Sequence, residues 1–190
     1  MNDVIIALAK AAILKALKQP EDFDMEYALK AYPALKEYGA AFVTITMKPN
    51  RRLRGCIGSL QAYRPLYKDI IMNAQAAALY DPRFMPLSIE ELRQIEIEVS
   101  VLSEPKVLIY DDMADLKSKV VPFQDGIVLK HNDKQATYLP QVWEQLPHFE
   151  DFFSSLCLKA NLSRECLSQH PEISTYTVKK YTEKNSGHQH

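Results

Sequence analysis

Three stretches of the chain, residues 4–17, 66–80 and 149–160, carry apolar side chains at helical spacing. In each stretch every third or fourth position is apolar, which is the pattern of a helix with one face in a core. Pro65 suits the first turn of the second helix, and Pro82 disfavours helical geometry at the residue before it. The pattern therefore predicts three helices that pack against a core.

Other stretches alternate apolar and polar side chains, as strands with one buried face do. The predicted strands are residues 42–47, 52–57, 94–102, 127–129, 136–139 and 173–181. The turn signals Pro49-Asn50 and His131-Asn132-Asp133 predict that the first two strands form one hairpin and the fourth and fifth another. Helices and strands do not alternate regularly, so the predicted fold class is α+β, a mainly antiparallel sheet with flanking helices.

The composition is that of a soluble globular domain. Hydrophobic residues make up 47% and charged residues 25% of the 190 residues, which is enough apolar material for a full core. No repeat or Pro/Gly/Ser linker divides the chain. We predict one domain with two lobes over residues 1–183 and a disordered polar tail over residues 184–190. The formal net charge of -1 gives no global field that would draw the protein onto nucleic acid or an anionic membrane.

The three cysteines, Cys56, Cys157 and Cys166, are odd in number and widely spaced. This spacing argues against a disulfide framework or a metal site and suits a reducing cytoplasm, with Cys157 packed in a core. Lys10 and Lys15 interrupt the apolar N-terminal stretch, so we predict a soluble amphipathic helix and no membrane span. Neither a cofactor nor a metal is expected.

The strongest candidate for chemistry is the stretch of residues 51–58, which combines arginines, two glycines and a cysteine. Strand alternation would put Arg54 and Cys56 on one face and the apolar Leu53 and Ile57 on the other. A guanidinium near a thiol favours the thiolate, so Cys56 is a candidate catalytic residue. The structural alternative is also strong, because a lone cysteine in a strand is usually a small buried hydrophobe.

The strand of residues 94–102 carries Glu98 and Ser100 on its polar face. If this strand shares a sheet with residues 52–57, the apolar faces of both strands meet the core. Glu98 and Ser100 then lie on the side of Arg54 and Cys56. We predict that a carboxylate on that side, Glu98, binds Arg54 in a bidentate contact.

Two prolines stiffen the segment of residues 81–86, which also carries Asp81 and Arg83. The segment is either a structural elbow, with both side chains bonded to nearby backbone, or a device that brings Arg83 to the rim of the Cys56 site. Ser88 and Glu91 follow at capping-box spacing, which predicts a short helix.

Several of these motifs together resemble the AMMECR-one domain family. The matching motifs are Leu53-Arg54-Gly55-Cys56-Ile57-Gly58, Asp81-Pro82-Arg83-Phe84, Ile97-Glu98-Val99-Ser100-Val101-Leu102, Asp125-Gly126-Ile127 and Leu139-Pro140-Gln141-Val142. They occur in the family's order and span nearly the whole chain, which makes the set far more specific than any single motif.

The resemblance implies a two-lobed α+β domain whose lobes flank a cleft. It also implies that the protein acts together with partner proteins. Bacterial and archaeal relatives are often encoded with a Memo-type protein and a radical SAM protein. They form the A component of that proposed system (AmmeMemoRadiSam system protein A). We therefore expect an accessory protein that binds a substrate or partner segment in the cleft. The candidate binding residues are Arg54, Asp81, Arg83, Glu98, Ser100 and Gln141.

Two other functions remain open. One is a cysteine-dependent enzyme in which Cys56 is the nucleophile and Arg54 or Arg83 stabilises an anion; none of the five histidines is clearly placed as its base. The other is nucleic-acid binding by a basic cluster with two tyrosines downstream, which the near-zero net charge argues against. The residues of this cluster are Lys48, Arg51, Arg52, Arg54, Tyr63 and Tyr67.

Overall fold

The computed structural model describes residues 1–183. The helices are α1 (Asn2–Ala16), α2 (Met25–Ala31), α3 (Leu66–Leu79), α4 (Met113–Lys119), α5 (Val142–Gln145) and α6 (Phe149–Lys159). The strands are β1 (Tyr38–Met47), β2 (Arg52–Gly58), β3 (Arg64–Pro65), β4 (Ile95–Leu102), β5 (Lys106–Leu108), β6 (Gly126–His131), β7 (Lys134–Tyr138), β8 (Glu172–Tyr176) and β9 (Val178–Thr182). Short 3-10 helices cover Pro33–Lys36, Glu90–Arg93 and Cys166–Gln169.

The chain forms two compact units. The first comprises Met1–Leu102 and residues 179–183, and the second comprises Ser103–Val178. Both contain an antiparallel sheet with helices packed on it, so the predicted α+β fold class is confirmed. The polar tail predicted for residues 184–190 lies outside the described residues. Within residues 1–183 no helix is both long and apolar enough to cross a membrane.

The sheet of the first unit has the strand order β2-β1-β4-β9, and β3 pairs with the start of β1. Apolar residues at alternate positions of its strands, among them Val43, Ile45, Ile97 and Val99, are buried against α1 and α3. Alanines on both helices allow close packing there, as the helical spacing predicted. The remaining strand positions point to the opposite face of the sheet.

A β-bulge in β2 changes which side chains share a face. Gly55 lies opposite Ile45, but Leu53 lies opposite Thr46, so Arg54 is the extra residue in this antiparallel pair. The prediction that Leu53 lies on the apolar face is therefore wrong. The inserted residue reverses the alternation, and Leu53 joins the face of Cys56.

The sheet of the second unit has the order β5-β8-β6-β7. Its core is aromatic: Trp143 stacks on Phe152 at a centroid distance of 3.7 Å, and Phe153 packs edge-on to Phe152. The indole Nε1 of Trp143 donates to the backbone oxygen of Asp125 at 2.8 Å, which satisfies the one polar group of that side chain.

The second unit also contains a disulfide between Cys157 and Cys166. The expectations that these cysteines form no disulfide and that Cys157 only packs are therefore wrong. Cys157 lies in α6, and the chain reverses after the helix through Asn161, which adopts a left-handed conformation (φ 62°). This reversal brings Cys166 back beside α6, and nothing in the sequence spacing indicated that proximity.

Candidate functional site

Cys56 lies on β2, which is the edge strand of the first sheet. It is opposite Thr44 on β1, and Thr44 is in turn opposite Glu98 on β4. The thiol is free and half-buried, and its Sγ lies 3.3 Å from the hydroxyl of Thr44. The register thus places a thiol, a hydroxyl and a carboxylate in one row across three strands.

A second row lies next to it, where Phe42 is opposite both Gly58 and Ser100. A Cβ on Gly58 would collide with the ring of Phe42, so the glycine lets this ring lie flat on β2. Both rows face away from α1 and α3. We call the surface formed by Phe42, Thr44, Cys56, Glu98 and Ser100 the Cys56 face.

The backbone of Cys56 is held from the open edge of β2. Its N–H donates to Oδ2 of Asp81 at 3.0 Å, and its carbonyl oxygen accepts from Nη2 of Arg83 at 3.2 Å. Asp81 and Arg83 also bind each other, at 2.7 Å between Nη2 and Oδ2 and 3.0 Å between Nε and Oδ1. The pair, which we call the Asp81–Arg83 clamp, takes the place of a neighbouring strand.

The clamp shifts the pKa values of both of its side chains. Hydrogen bonds from the Arg83 side chain hold the pKa of Asp81 well below its ordinary value, and the Cys56 amide adds to this effect. The same contact raises the pKa of Arg83. The segment has features of both alternatives: Asp81 accepts from the nearby backbone N–H of Arg83 at 3.0 Å, and the Arg83 side chain reaches the backbone of Cys56.

Arg54 is bound by Glu91 and not by Glu98, so the predicted partner is wrong. Its Nε and Nη2 donate to the two carboxylate oxygens of Glu91 at 2.8 and 3.1 Å. The bulge displaces Arg54 from strict alternation, and its guanidinium meets the 3-10 helix that precedes β4. The contact lowers the pKa of Glu91 to about 2, chiefly through the hydrogen bonds from Arg54. Within the described residues, the buried Nη1 of Arg54 has no hydrogen-bond partner.

Glu91 also completes the capping box that the sequence predicted. It accepts from the backbone N–H of Ser88 at 3.0 Å, and its own N–H donates to the Ser88 hydroxyl at 3.3 Å. One carboxylate therefore fixes both the start of the 3-10 helix and the guanidinium of Arg54. The sequence indicated the first role and gave no sign of the second.

Phe84 joins the two arginines. Its ring centroid lies 5.9 Å from the guanidinium carbon of Arg54 and 5.4 Å from that of Arg83, within cation–π range. The motif at residues 81–84 thus contacts the motif at residues 53–58 through three of its side chains. These two motifs, which the family resemblance grouped together, are therefore in physical contact.

A buried network at the far end of β2 was missed by sequence reasoning. Asp69 is fully buried and accepts from the backbone N–H of Ala41, the hydroxyl of Ser59 and Nε of Arg64, at 2.7 to 2.8 Å. Nδ2 of Asn73 donates to the backbone oxygen of Ala41, the hydroxyl of Ser59 and the carboxylate of Asp69 at 2.9 to 3.1 Å. The network ties the loop after β2 to β1 and α3. The available signal in the sequence was the pair Asp69 and Asn73, two polar residues four positions apart beside the apolar stripe of α3.

Gln141 lies in the second unit, exposed, at the residue before α5. In the part of the chain that is described, no group of three or more His, Cys, Asp or Glu side chains is arranged to hold a metal ion.

The basic cluster behind the nucleic-acid alternative is partly neutralised. Arg54 is paired with Glu91, and Nε of Arg51 lies 3.8 Å from Glu96. Two of the four cations are thus matched by carboxylates, which weakens the case for a phosphate-binding surface.

A pocket of about 240 Å³ lies between α1, α3 and the segment before α2. Leu8, Phe23 and Ile71 contribute apolar walls, and Lys15 and Glu21 contribute polar groups. None of the residues quoted from the shared motifs lines it, so we assign it no function.

The AMMECR1 family model matches residues 6–181. The chain belongs to the AMMECR1 family. Proteins of Sulfolobus acidocaldarius and Methanothermobacter thermautotrophicus are similar to this AMMECR1 chain, with 36% identity over 162 residues and 33% over 177 residues. These alignments cover 80% and 90% of this chain and 70% and 88% of the relatives. Neither name states an activity.

A solved structure supports the same assignment. The crystal structure of the uncharacterized protein PH0010 from Pyrococcus horikoshii superposes with a TM-score of 0.72 at 30% sequence identity. The match covers 93% of this chain and 88% of that one. The fold described above is therefore an AMMECR1 fold over nearly its whole length.

The geometry defines what this AMMECR1 site can do chemically. Both arginines near Cys56 are paired with carboxylates, and the hydrogen-bond partner of its Sγ within residues 1–183 is a hydroxyl. A nucleophilic cysteine needs a base or a free cation beside the sulfur. The Cys56 face presents a thiol, two hydroxyls and a carboxylate as hydrogen-bonding groups.

Proposed function

We propose that the protein is an accessory component of a modification system with a Memo-type protein and a radical SAM protein, and that it binds a substrate or partner segment on the Cys56 face. The resemblance of its motifs to those of family members from such systems supports the choice of partners. The observation that carries the binding role is the Asp81–Arg83 clamp, which fixes the backbone of Cys56 from the strand edge.

Fixing a strand in this way suits recognition. Preorganised groups lose little entropy on binding, so the row of Thr44, Cys56 and Glu98 can select a ligand by its hydrogen-bonding pattern. Glu98 makes this face a better acceptor than donor, which favours segments that present amide or ammonium N–H groups. Phe42 adds an apolar surface beside the row.

Reconstitution tests the proposal. The tagged protein is co-expressed with the Memo-type and radical SAM proteins of the same organism, and complex formation is measured by co-purification and analytical ultracentrifugation. We expect a complex that Glu98→Gln and Thr44→Val weaken. Glu37→Gln is the matched control, since it removes one exposed carboxylate outside the Cys56 face.

Two results would contradict the proposal. One is the absence of a complex under conditions in which all three proteins are folded. The other is turnover of a substrate by the isolated protein, which would show an enzyme and not an accessory component.

A cysteine-dependent enzyme is the second candidate. Cys56 has a free, half-exposed thiol, and its backbone carbonyl oxygen accepts a hydrogen bond from Arg83. The rate of iodoacetamide labelling against pH separates the two candidates. A thiol that labels at its full rate near neutral pH would support catalysis. A labelling rate no faster than that of a small free thiol at the same pH is the result expected for a recognition surface.

A further inference from the structure

The disulfide between Cys157 and Cys166 lies inside the core of the second unit. The two residues are 0% and 1% exposed, and their Cα atoms are 5.8 Å apart. Cys157 belongs to α6, and Cys166 is the first residue of the 3-10 helix that leads toward β8. The bond therefore joins a helix to the segment that follows it.

That segment, residues 160–171, which we call the connector, links α6 to β8. At its start, the N–H of Leu162 donates to the backbone oxygen of Cys157 at 2.9 Å, and Nζ of Lys134 donates to the backbone oxygen of Asn161 at 3.0 Å. At its end, the ring of His170 stacks on the ring of Tyr110 at a centroid distance of 4.2 Å. The Nε2 atom of His170 lies 2.9 Å from the backbone oxygen of Tyr110. Between these two ends, the disulfide ties Cys166 of the connector to Cys157 of α6.

We infer that Cys157 and Cys166 form a redox-sensitive pair that controls the order of the connector. The oxidant is a low-molecular-weight disulfide such as glutathione disulfide. One protein thiolate displaces a glutathione thiolate and forms a mixed disulfide; the second protein thiolate then displaces the other glutathione. In total two protein thiols become one disulfide, and one glutathione disulfide becomes two glutathione thiols. An excess of dithiol reverses the reaction.

Burial makes this exchange dependent on local opening. Neither sulfur is reachable in the closed core, so a reagent reaches the pair only when the connector separates from α6. Cys56, which is half-buried and free, reacts without such opening and serves as an internal standard in the same molecule.

The remaining core contacts indicate that reduction loosens the connector without unfolding the unit. Phe152 and Leu156 hold α6 in the core, and Ile173 holds β8, which pairs with both β5 and β6. The disulfide closes a short ring, with a sequence separation of 9. Its chain-entropy contribution corresponds to about a hundredfold change in the unfolding equilibrium constant.

Mass spectrometry tests the pairing. The full-length protein is equilibrated with glutathione disulfide, denatured and treated with iodoacetamide, with or without prior reduction. Without reduction we expect Cys157 and Cys166 to be linked and unlabelled and Cys56 to be labelled or blocked as its glutathione mixed disulfide, and after reduction we expect three adducts. Three adducts in the sample that was oxidised but never reduced would overturn the proposal.

Hydrogen–deuterium exchange tests the control of the connector. The oxidised and reduced wild-type proteins are compared, and we expect faster exchange in residues 161–170 after reduction with unchanged protection in β6. Cys157→Ala/Cys166→Ala should match the reduced protein under both conditions, and Cys56→Ser should respond as the wild type does. Equal exchange of the connector in the oxidised and reduced wild type would overturn the proposal, whatever the variants do.

Discussion

Both arginines of the candidate site already have carboxylate partners. The side chain of Arg54 is 10% exposed and pairs with Glu91, and the exposed Arg83 pairs with the buried Asp81. Removing one member of a buried pair leaves the other uncompensated, which costs more than the pair itself contributes. Loss of activity after an arginine substitution at this site is therefore evidence of a functional role only when the stability of the variant is measured as well.

The Arg54–Glu91 contact can be measured as a coupling energy. We expect Arg54→Met and Glu91→Gln each to lower the free energy of unfolding by about 2 to 3 kcal/mol, because each leaves a partly buried partner unpaired. The double variant should lose less than the sum of the two. Denaturant titrations of all four proteins give the values, with Glu90→Gln as the control on an exposed neighbour. Strictly additive losses would show that the contact is not energetically significant.

The clamp is testable at the amide of Cys56. Arg83→Lys keeps the charge but loses the forked geometry that holds Asp81 and reaches the Cys56 carbonyl. We expect the Cys56 amide to exchange about tenfold faster, which corresponds to the loss of one charge-assisted hydrogen bond. Arg93→Lys is the control at an exposed arginine. An unchanged exchange rate in Arg83→Lys would mean that Asp81 holds the amide without help.

At the scale of elements, periodicity and turn chemistry predicted much of the fold. The hairpin of β1 and β2, the helix after Pro65 and the cap at Ser88 all formed where the sequence indicated. The bulge at Arg54 did not show in the sequence, because an inserted residue leaves the local composition of a strand unchanged. The pairing with Glu91 was also hidden, since it joins residues 37 apart in the chain.

Gly55 gives a prediction about how α3 packs on β2. A Cβ at this position would collide with the carbonyl oxygen of Ala77 in α3, and neither backbone can move freely. We expect Gly55→Ala to lower the free energy of unfolding by about 3 kcal/mol, at the upper end for overpacking. Gly39→Ala is the matched control, because its Cβ would meet the Leu66 side chain at 3.1 Å, where a small shift suffices. Thermal and denaturant unfolding distinguish the two, and equal losses would contradict the explanation.

At the scale of the whole molecule, the chain builds two cores of different character. The first core consists mainly of aliphatic side chains and alanines on α1, α3 and the sheet. The second core contains a cluster of aromatic rings among aliphatic side chains, together with the disulfide. Hydrophobic periodicity predicted the helices and strands that line these cores, because it depends on patterns within single elements. The disulfide was not predictable, because it depends on where the chain goes after the left-handed turn at Asn161.

The lowered pKa values of Asp81 and Glu91, the two carboxylates paired with arginines at the candidate site, predict how stability depends on pH. Asp81 and Glu91 have ordinary pKa values of 3.8 and 4.5, and in the folded protein both are lower, with Glu91 at about 2. A carboxylate whose pKa is depressed on folding binds protons more readily in the unfolded chain. Its contribution is therefore complete above its unfolded pKa and disappears as the pH falls toward its folded pKa. We expect the contribution of these two groups to be constant from neutral pH to about pH 5 and to decline from about pH 4.5 downward. Denaturant titrations across this range should show a shallower decline for Asp81→Asn and Glu91→Gln and an unchanged one for Glu37→Gln. A decline of equal slope in all four proteins would locate the acid sensitivity outside the clamp and the Arg54 pair.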